Sequence, residues 1–331
     1  MAGIAVLGCG RIGRVHARNL AHHPRARLAM VFDLVREAAQ QAATELNVKA
    51  AGSVEEVLGS GEVDGVLVAT PTDTHVPLIK SAVKAGKAVL CEKPVDLDLQ
   101  RAQACWRELA AANPKVMIGF NRRFDPSFRA LRARLQNGEV GGLELAVITS
   151  RDPAPPPAGY LKGSGGLLRD MTIHDFDMAR YLAGDIAQVH AFGANLVDPA
   201  IGKLGDIDTC TLSLRAKSGA LVQISNSRRC AYGYDQRIEV FGSGGMLQAG
   251  NRRATSLESW SAERTAARDP VLNFFIERYR EAYESELDAF VTALEQGRPM
   301  SPDFTDGVEA LRLAACAEES LRTGRVVNIG A

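Results

Sequence analysis

The sequence predicts an α/β Rossmann domain at the N-terminus, followed by an α+β domain with a large, mostly antiparallel open sheet. Three observations carry that prediction. Short apolar runs alternate with helix-periodic segments over the first 121 residues, as βαβ units around a doubly wound parallel sheet do. A glycine loop, "GCGRIG", joins the first run to the first helical segment. Beyond residue 122 the strand-like stretches lengthen, alternate and crowd together, as in an antiparallel sheet. A chain of 331 residues has room for two domains. The division expected is 1–121 and 122–331, with the last helix a candidate to pack back on the first domain.

Each element has its own signal. "GIAVLG" (3–8) is a short apolar run ending in glycine, and 11–23 places Ile12, Val15 and Leu20 at helical spacing. Strands are expected at 26–33, 63–71, 87–94 and 115–121, with helices at 34–47, 75–86 and 98–113 between them. In the second half, strands are expected at 143–150, 208–217, 220–229 and 236–243, and helices at 273–297 and 306–324. The proline run "DPAPPPAG" (152–159) is the one compositionally odd segment.

Composition narrows the function. Hydrophobic content of 46% and charged content of 24% are those of an ordinary globular chain. The 39 basic and 39 acidic residues cancel, which favours neither nucleic acid nor a membrane surface as partner. No apolar run is long enough to span a bilayer, and no signal peptide is read at the start. The six cysteines form no CxxC pair, so reduced cytosolic thiols are expected, with no disulfide framework and no metal site. A small-molecule substrate and a cytoplasmic location follow as expectations.

In "GCGRIG", Gly8, Gly10 and Gly13 have the GxGxxG spacing between a strand and a helix. Glycines there permit the tight turn, the close approach of a pyrophosphate and helix–strand packing. The helix N-terminus presents its positive dipole end to the phosphates. Asp33 lies 20 residues beyond Gly13 at the end of the second strand, where an acid accepts the adenosine ribose hydroxyls. Its charge favours NAD over NADP, and Arg36 nearby offers a counter-charge.

Ligands of open α/β sheets sit beyond the carboxyl ends of the strands. Those ends are "ATPTDTH" (69–75), "CEKPV" (91–95) and "GFNRRF" (119–124). Lys93 stands out, between Glu92 and Pro94 on the ligand side. Asn121 and Arg123 follow a strand at the mouth, so cofactor or substrate contact is expected of them. Asp152 and Tyr160 flank the proline run, and Tyr234 precedes a strand of the second domain. All three are candidates for a sugar-sized pocket, with a neighbouring subunit as the alternative contact of Tyr234. The decapeptide "RDMTIHDFDM" (169–178) reads as one helix with Asp170, His174 and Asp177 on one face. Taken alone it has a plainer reading, in which Asp170 caps a helix and His174 is a satisfied core residue. Asp175 is expected to meet solvent or a backbone donor. Arg122 is expected to support the domain interface instead, Arg228 and Arg229 form a basic pair that acquires no role, and His16, His22, His23 and His190 read as structural or solvated.

Taken together, "GCGRIG", "ATPTDTH", "CEKP" and "GGLLRDMTIHDFDM" resemble the glucose–fructose oxidoreductase / inositol dehydrogenase superfamily over essentially the whole chain. The resemblance implies Lys93 as the catalytic lysine and Asp170 with His174 as the catalytic pair. It implies a cofactor site lined by Gly8, Gly10, Ile12, Asp33, Thr70, Pro71, His75 and Glu92, to which position adds Arg11, Arg36, Lys93 and Asn121. Substrate is expected against Lys93, Arg123, Asp152, Tyr160, Asp170, His174 and Tyr234. Within the superfamily, "SRDPAPPP" (150–157), the decapeptide and Tyr234 are most similar to the bacterial inositol dehydrogenases. The activity implied is NAD-dependent oxidation of a cyclic polyol, with myo-inositol going to its 2-keto form. The alternatives are a related sugar or scyllo-inositol dehydrogenase and a non-enzymatic NAD(H)-sensing protein. A homodimer or homotetramer through the open face of the second sheet is expected.

Overall fold

A computed structural model describes residues 1–330. They divide into two units, Met1–Phe124 with Glu281–Leu311, and Asp125–Arg280 with the chain from Arg312 onward.

The first unit is built on six strands: β1 (Ala2–Leu7), β2 (Ala26–Phe32), β3 (Lys49–Ala50), β4 (Gly65–Val68), β5 (Ala88–Glu92) and β6 (Val116–Gly119). Their order is β3-β2-β1-β4-β5-β6, and every pairing is parallel. The order reverses between β1 and β4, the point at which such sheets take a ligand. All of β4 and the last five residues of β1 are buried, because helices cover both faces of a parallel sheet. The connecting helices are α1 (Arg11–Ala21), α2 (Arg36–Leu46), α3 (Val54–Gly59), α4 (His75–Lys84) and α5 (Leu99–Leu109). Side-chain caps start two of them: Ser53 accepts Glu56 N–H and Asp98 accepts Arg101 N–H. Leu287, Phe290 and Val291 join a core containing Ile4, Val6, Leu20, Val31, Leu67 and Leu90.

The second unit opens on α6 (Pro126–Gln136), capped by Asp125, which also receives the buried guanidinium of Arg278. Then come β7 (Leu143–Arg151), α7 (Ala158–Leu161), α8 (Gly166–Asp170), α9 (Thr172–Ala183), β8 (Ile186–Ala194) and α10 (Pro199–Lys203). They are followed by β9 (Thr209–Ala216), β10 (Leu221–Ser227), β11 (Asp235–Gly242), β12 (Gly245–Ala249), β13 (Glu258–Ser259) and β14 (Ala267–Arg268). The chain ends with α11 (Phe275–Arg278), α12 (Arg280–Gln296), α13 (Phe304–Thr323) and β15 (Val327–Asn328). Seven strands form one sheet in the order β12-β11-β7-β10-β9-β8-β15. Only β7 and β10 pair in parallel, so the sheet is mixed and mostly antiparallel. Alternation turns Cys210, Leu212, Leu214, Val222 and Ile224 inward.

Two expected helices are divided. The span 273–297 breaks at Tyr279 into α11 and α12. The decapeptide breaks at Met171, so Asp170 ends α8 and His174 belongs to α9. Met171 N–H still bonds Leu167 O at 3.0 Å, but His174 N–H bonds Met171 O, three residues back, at 3.3 Å. The tightened register means that Asp170, His174 and Asp177 do not follow one continuous helical face. β8 and β12 are strands that the sequence reading did not single out. No helix among the described residues is long and apolar enough to cross a membrane.

Candidate active site

In the first unit the glycine loop closes against the end of β4. Gly8 has φ +98°, and a Cβ there would lie 2.5 Å from Ala69 O. A Cβ on Gly13 would lie 1.9 Å from Gly8 O, so only glycine allows the loop to close on α1. A Cβ on Gly10 would meet nothing within 4 Å. The loop is therefore packed on one side and open at Gly10, with α1 beginning there without a side-chain cap. Those are the conditions for a bound pyrophosphate. Arg11 and Ile12 open α1, and Arg36 opens α2. Asp33 follows β2 and is fixed from both sides: Oδ2 accepts Cys9 N–H at 2.6 Å and Oδ1 accepts Val35 N–H at 2.8 Å.

The other strand ends are braced to one another. The Thr70 and Thr74 hydroxyls hydrogen-bond at 2.6 Å, and Thr74 donates to Pro71 O at 2.7 Å. His75 is buried, with Nδ1 2.8 Å from Pro94 O and Nε2 2.9 Å from Thr70 O. Burial pushes its pKa down, against the pull of these two carbonyls. The ring ties the Thr70 loop to the segment carrying Lys93. Lys93 follows directly on β5. Asn121, Arg122 and Arg123 are buried in the turn after β6, and Arg123 is paired with Asp306 at 3.0 Å.

Beneath this surface lies a titratable cluster. His16 Nε2 is 2.7 Å from Glu92 Oε1. Glu286 from α12 is fully buried, and neither carboxyl oxygen has a hydrogen-bond partner among the described residues. One ligand atom from each of the three lies within 4.8 Å of the others. Burial, reinforced by the charge on Glu92, pushes the Glu286 carboxyl well above its ordinary range.

In the second unit, Gly166 (φ +81°) starts α8, and a Cβ there would lie 2.8 Å from Asp206 Oδ1. Asp206 in turn accepts Leu167 N–H at 3.1 Å. This fixes the short helix that ends in Asp170. The two oxygens of Asp170 are held separately. Tyr160 donates its hydroxyl to Oδ1 at 2.7 Å, and Arg228 donates Nη1–H to Oδ2 at 3.2 Å. His174 follows in the first turn of α9. Asp152 donates its backbone N–H to Ser227 O at 2.9 Å. Tyr234 is buried edge-on to Tyr279.

Asp175 corrects an expectation. It does not meet solvent: it is fully buried, with Oδ1 accepting from Ser150 Oγ at 2.7 Å and Oδ2 from Asn226 Nδ2 at 2.8 Å. Asp177 is also buried.

Three residues that the sequence reading passed over now matter, and each had a signal. Arg228 continues the period-2 inward set Val222, Ile224, Asn226. His16 lies on the buried face of α1 with Gly13, Ala17 and Leu20. Glu286 shares the buried face of α12 with Tyr283, Leu287 and Phe290.

Comparison with known proteins extends these findings. The profile of an oxidoreductase family with an NAD-binding Rossmann fold matches residues 2–120. The profile of the GFO/IDH/MocA C-terminal domain matches residues 128–248. The inositol 2-dehydrogenase of Rhizobium meliloti (strain 1021) is 45% identical over 325 residues, 98% of each chain. The crystal structure of a myo-inositol dehydrogenase from Corynebacterium glutamicum is 48% identical, with a TM-score of 0.97 over 100% of this chain and 99% of that one. A scyllo-inositol dehydrogenase from Lactobacillus casei, solved with bound NAD(H) and scyllo-inositol, is 29% identical with a TM-score of 0.92 over 100% of both chains.

Proposed function

The chain belongs to the GFO/IDH/MocA family of NAD-binding oxidoreductases, and from that premise we propose that it oxidises myo-inositol at one ring hydroxyl to the 2-keto product. The observation that carries the reading is the 45–48% identity, over nearly the whole chain, to proteins named for that activity. NAD, when bound, supplies the hydride acceptor. Gly8, Gly10 and Gly13 shape its phosphate cradle and Asp33 takes its ribose, the role suited to a carboxylate already oriented by two backbone amides.

Oxidation of an alcohol releases a hydroxyl proton as hydride leaves the carbon. We assign that proton to His174, because histidine is the side chain whose ordinary pKa suits general base catalysis near neutral pH. Asp170 supports the imidazolium, a role for which a carboxylate held at both oxygens is suited. Lys93 stabilises the developing alkoxide charge. Arg123, Asp152, Tyr160 and Tyr234 are the proposed polyol contacts, with Tyr160 doing double duty because its hydroxyl is on Asp170.

We also propose a cytoplasmic enzyme, on the six free cysteines, that assembles through its large sheet. Register places Leu221, Leu145, Phe241 and Met246 in one row across β10, β7, β11 and β12. Leu221, Phe241 and Met246 are exposed, and such an apolar row is usually covered in an assembly.

A panel of myo-inositol, scyllo-inositol and aldoses, assayed with NAD and NADP for formation of reduced cofactor, tests the reading. Turnover highest with myo-inositol and NAD is expected. Preference for scyllo-inositol or an aldose would move the assignment to that substrate. NADH binding with no turnover of any of them would make the protein a sensor.

A further inference from the structure

We propose that Arg228 is a positioning residue of this reaction: it fixes the Asp170 carboxylate and limits how strongly that carboxylate holds a proton on His174. The inference deepens the proposed function and rests on its assignment of Asp170 and His174.

The argument starts from the environment of the guanidinium. Arg228 is 1% exposed. It follows β10, on the inward side that alternation dictates, and its backbone N–H is held by Asp208 O at 2.8 Å. Its Nη1 donates to Asp170 Oδ2 at 3.2 Å, whereas Nε and Nη2 have no hydrogen-bond partner among the described residues. A buried arginine with two unused donors is costly for the fold. Its one polar engagement is with Asp170. Tyr160 holds the other oxygen of the same carboxylate at 2.7 Å. Two donors on two oxygens fix both the rotation of the carboxylate and the direction of its remaining lone pairs.

The charge matters as well as the geometry. Several titratable and charged groups flank this segment, among them Asp177, buried on the helix that carries His174. Tyr160 and Arg228 touch Asp170 itself. Arg169 beside it is paired with Glu318 at 2.7 Å. Asp206 is held by the backbone amides of Leu167 and Ile207, and Asp175 accepts from Ser150 and Asn226. Arg228 thus places a buried cation directly on the Asp170 carboxylate. A bare carboxylate beside an imidazole raises the imidazole pKa, and a cation on that carboxylate offsets part of the rise. The base then stays unprotonated, and able to accept the hydroxyl proton, to lower pH. Removal of the cation is expected to move the acid limb of the pH–rate profile upward.

The experiment is steady-state kinetics of Arg228→Met, Arg228→Lys, Asp170→Asn and Asp170→Asn/Arg228→Met, with folding followed by circular dichroism and NADH binding by fluorescence. In Arg228→Met, kcat is expected to fall roughly ten- to a hundredfold, the cost of a misplaced reacting group, with NADH affinity unchanged. The acid limb of kcat is expected to rise by about half a pH unit or more. Arg228→Lys keeps the charge without the fork, so it should restore the limb while kcat stays low. In the Asp170→Asn background the loss of Arg228 should cost no more than about twofold further, because paired residues are not additive. A wild-type kcat and limb in Arg228→Met, or the same loss in the Asp170→Asn background, overturns the proposal. Should Arg228→Met fail to fold, Arg228→Gln against Arg228→Lys carries the same comparison. Wild-type turnover by Asp170→Asn itself would instead overturn the underlying assignment of Asp170.

Discussion

Asp33 Oδ2 accepts the backbone N–H of Cys9, in the middle of the glycine loop, at 2.6 Å. The acid that is to hold the ribose is therefore also an anchor of the loop that is to hold the phosphates. Asp33→Ser should act on both. Loss of the charge removes repulsion of a 2′-phosphate, so the NADP/NAD ratio of kcat/KM should rise at least about tenfold. Loss of a hydrogen bond to a charged acceptor, about 1.5–3 kcal/mol, should lower kcat/KM with NAD roughly ten- to a hundredfold. Initial rates with both cofactors check this, and an unchanged ratio would show that Asp33 does not face the ribose.

Glu286 is expected to make stability fall as pH rises. Its folded pKa lies well above its ordinary value through burial and the charge on Glu92. The unfolded chain, by contrast, titrates in the ordinary carboxylate range. A raised carboxyl pKa means that the stability is fully present below the unfolded value and is lost as pH climbs toward the folded one. The loss has a limiting slope of about 1.36 kcal/mol per unit. Glu286→Gln keeps the neutral shape and cannot ionise. Its Tm should therefore exceed the wild-type value by a margin that widens between pH 5 and pH 8. A margin that stays flat, or a variant that is less stable at pH 8, would mean an ionised and compensated Glu286. Stoichiometric binding of Mn²⁺ or Zn²⁺ in dialysis would identify the compensating charge as a metal.

The proposed assembly predicts a surface effect. Phe241 stands on the exposed row with Leu221 and Met246. A charge there would be buried unpaired in any interface through that face. Phe241→Glu should shift sedimentation or light-scattering mass to a smaller species while the circular dichroism spectrum stays that of the wild type. An unchanged mass would exclude this face from the assembly.

The Rossmann half was legible because its signals are local. The apolar runs of β1, β4 and β5 and the glycines at 8, 10 and 13 mark strands and a tight strand-to-helix loop within a few residues of each other. The site in the second unit was only partly legible. The spacing of Asp170 and His174 was visible, but the break at Met171 was not, since the apolar pattern runs through it. Asp175 was misplaced because a carboxylate in a short polar stretch reads as exposed. Its burial depends on Ser150 and Asn226, 25 and 51 positions away. Arg228 continues the inward side of β10 beyond Asn226, and no local pattern marks an arginine there as buried. What local pattern cannot supply is the distant partner that satisfies a buried charge.

The catalytic assignment makes the largest quantitative demand. Positioned acid–base catalysis contributes roughly a hundred- to ten-thousand-fold, so His174→Ala should lose about that factor in kcat. Its NADH binding should be unchanged, because the glycine loop and Asp33 lie in the other unit. Lys93→Ala removes charge stabilisation needed mainly in the transition state, so kcat should fall with little change in NADH affinity. If Lys93 and His174 serve the same substrate hydroxyl, the double variant should be far less impaired than the product of the two single losses. Single-turnover measurement of NADH formation in the three variants separates these steps from product release. A folded His174→Ala enzyme that turns over near the wild-type rate would return His174 to the role of a core histidine, and the proton would then need another acceptor.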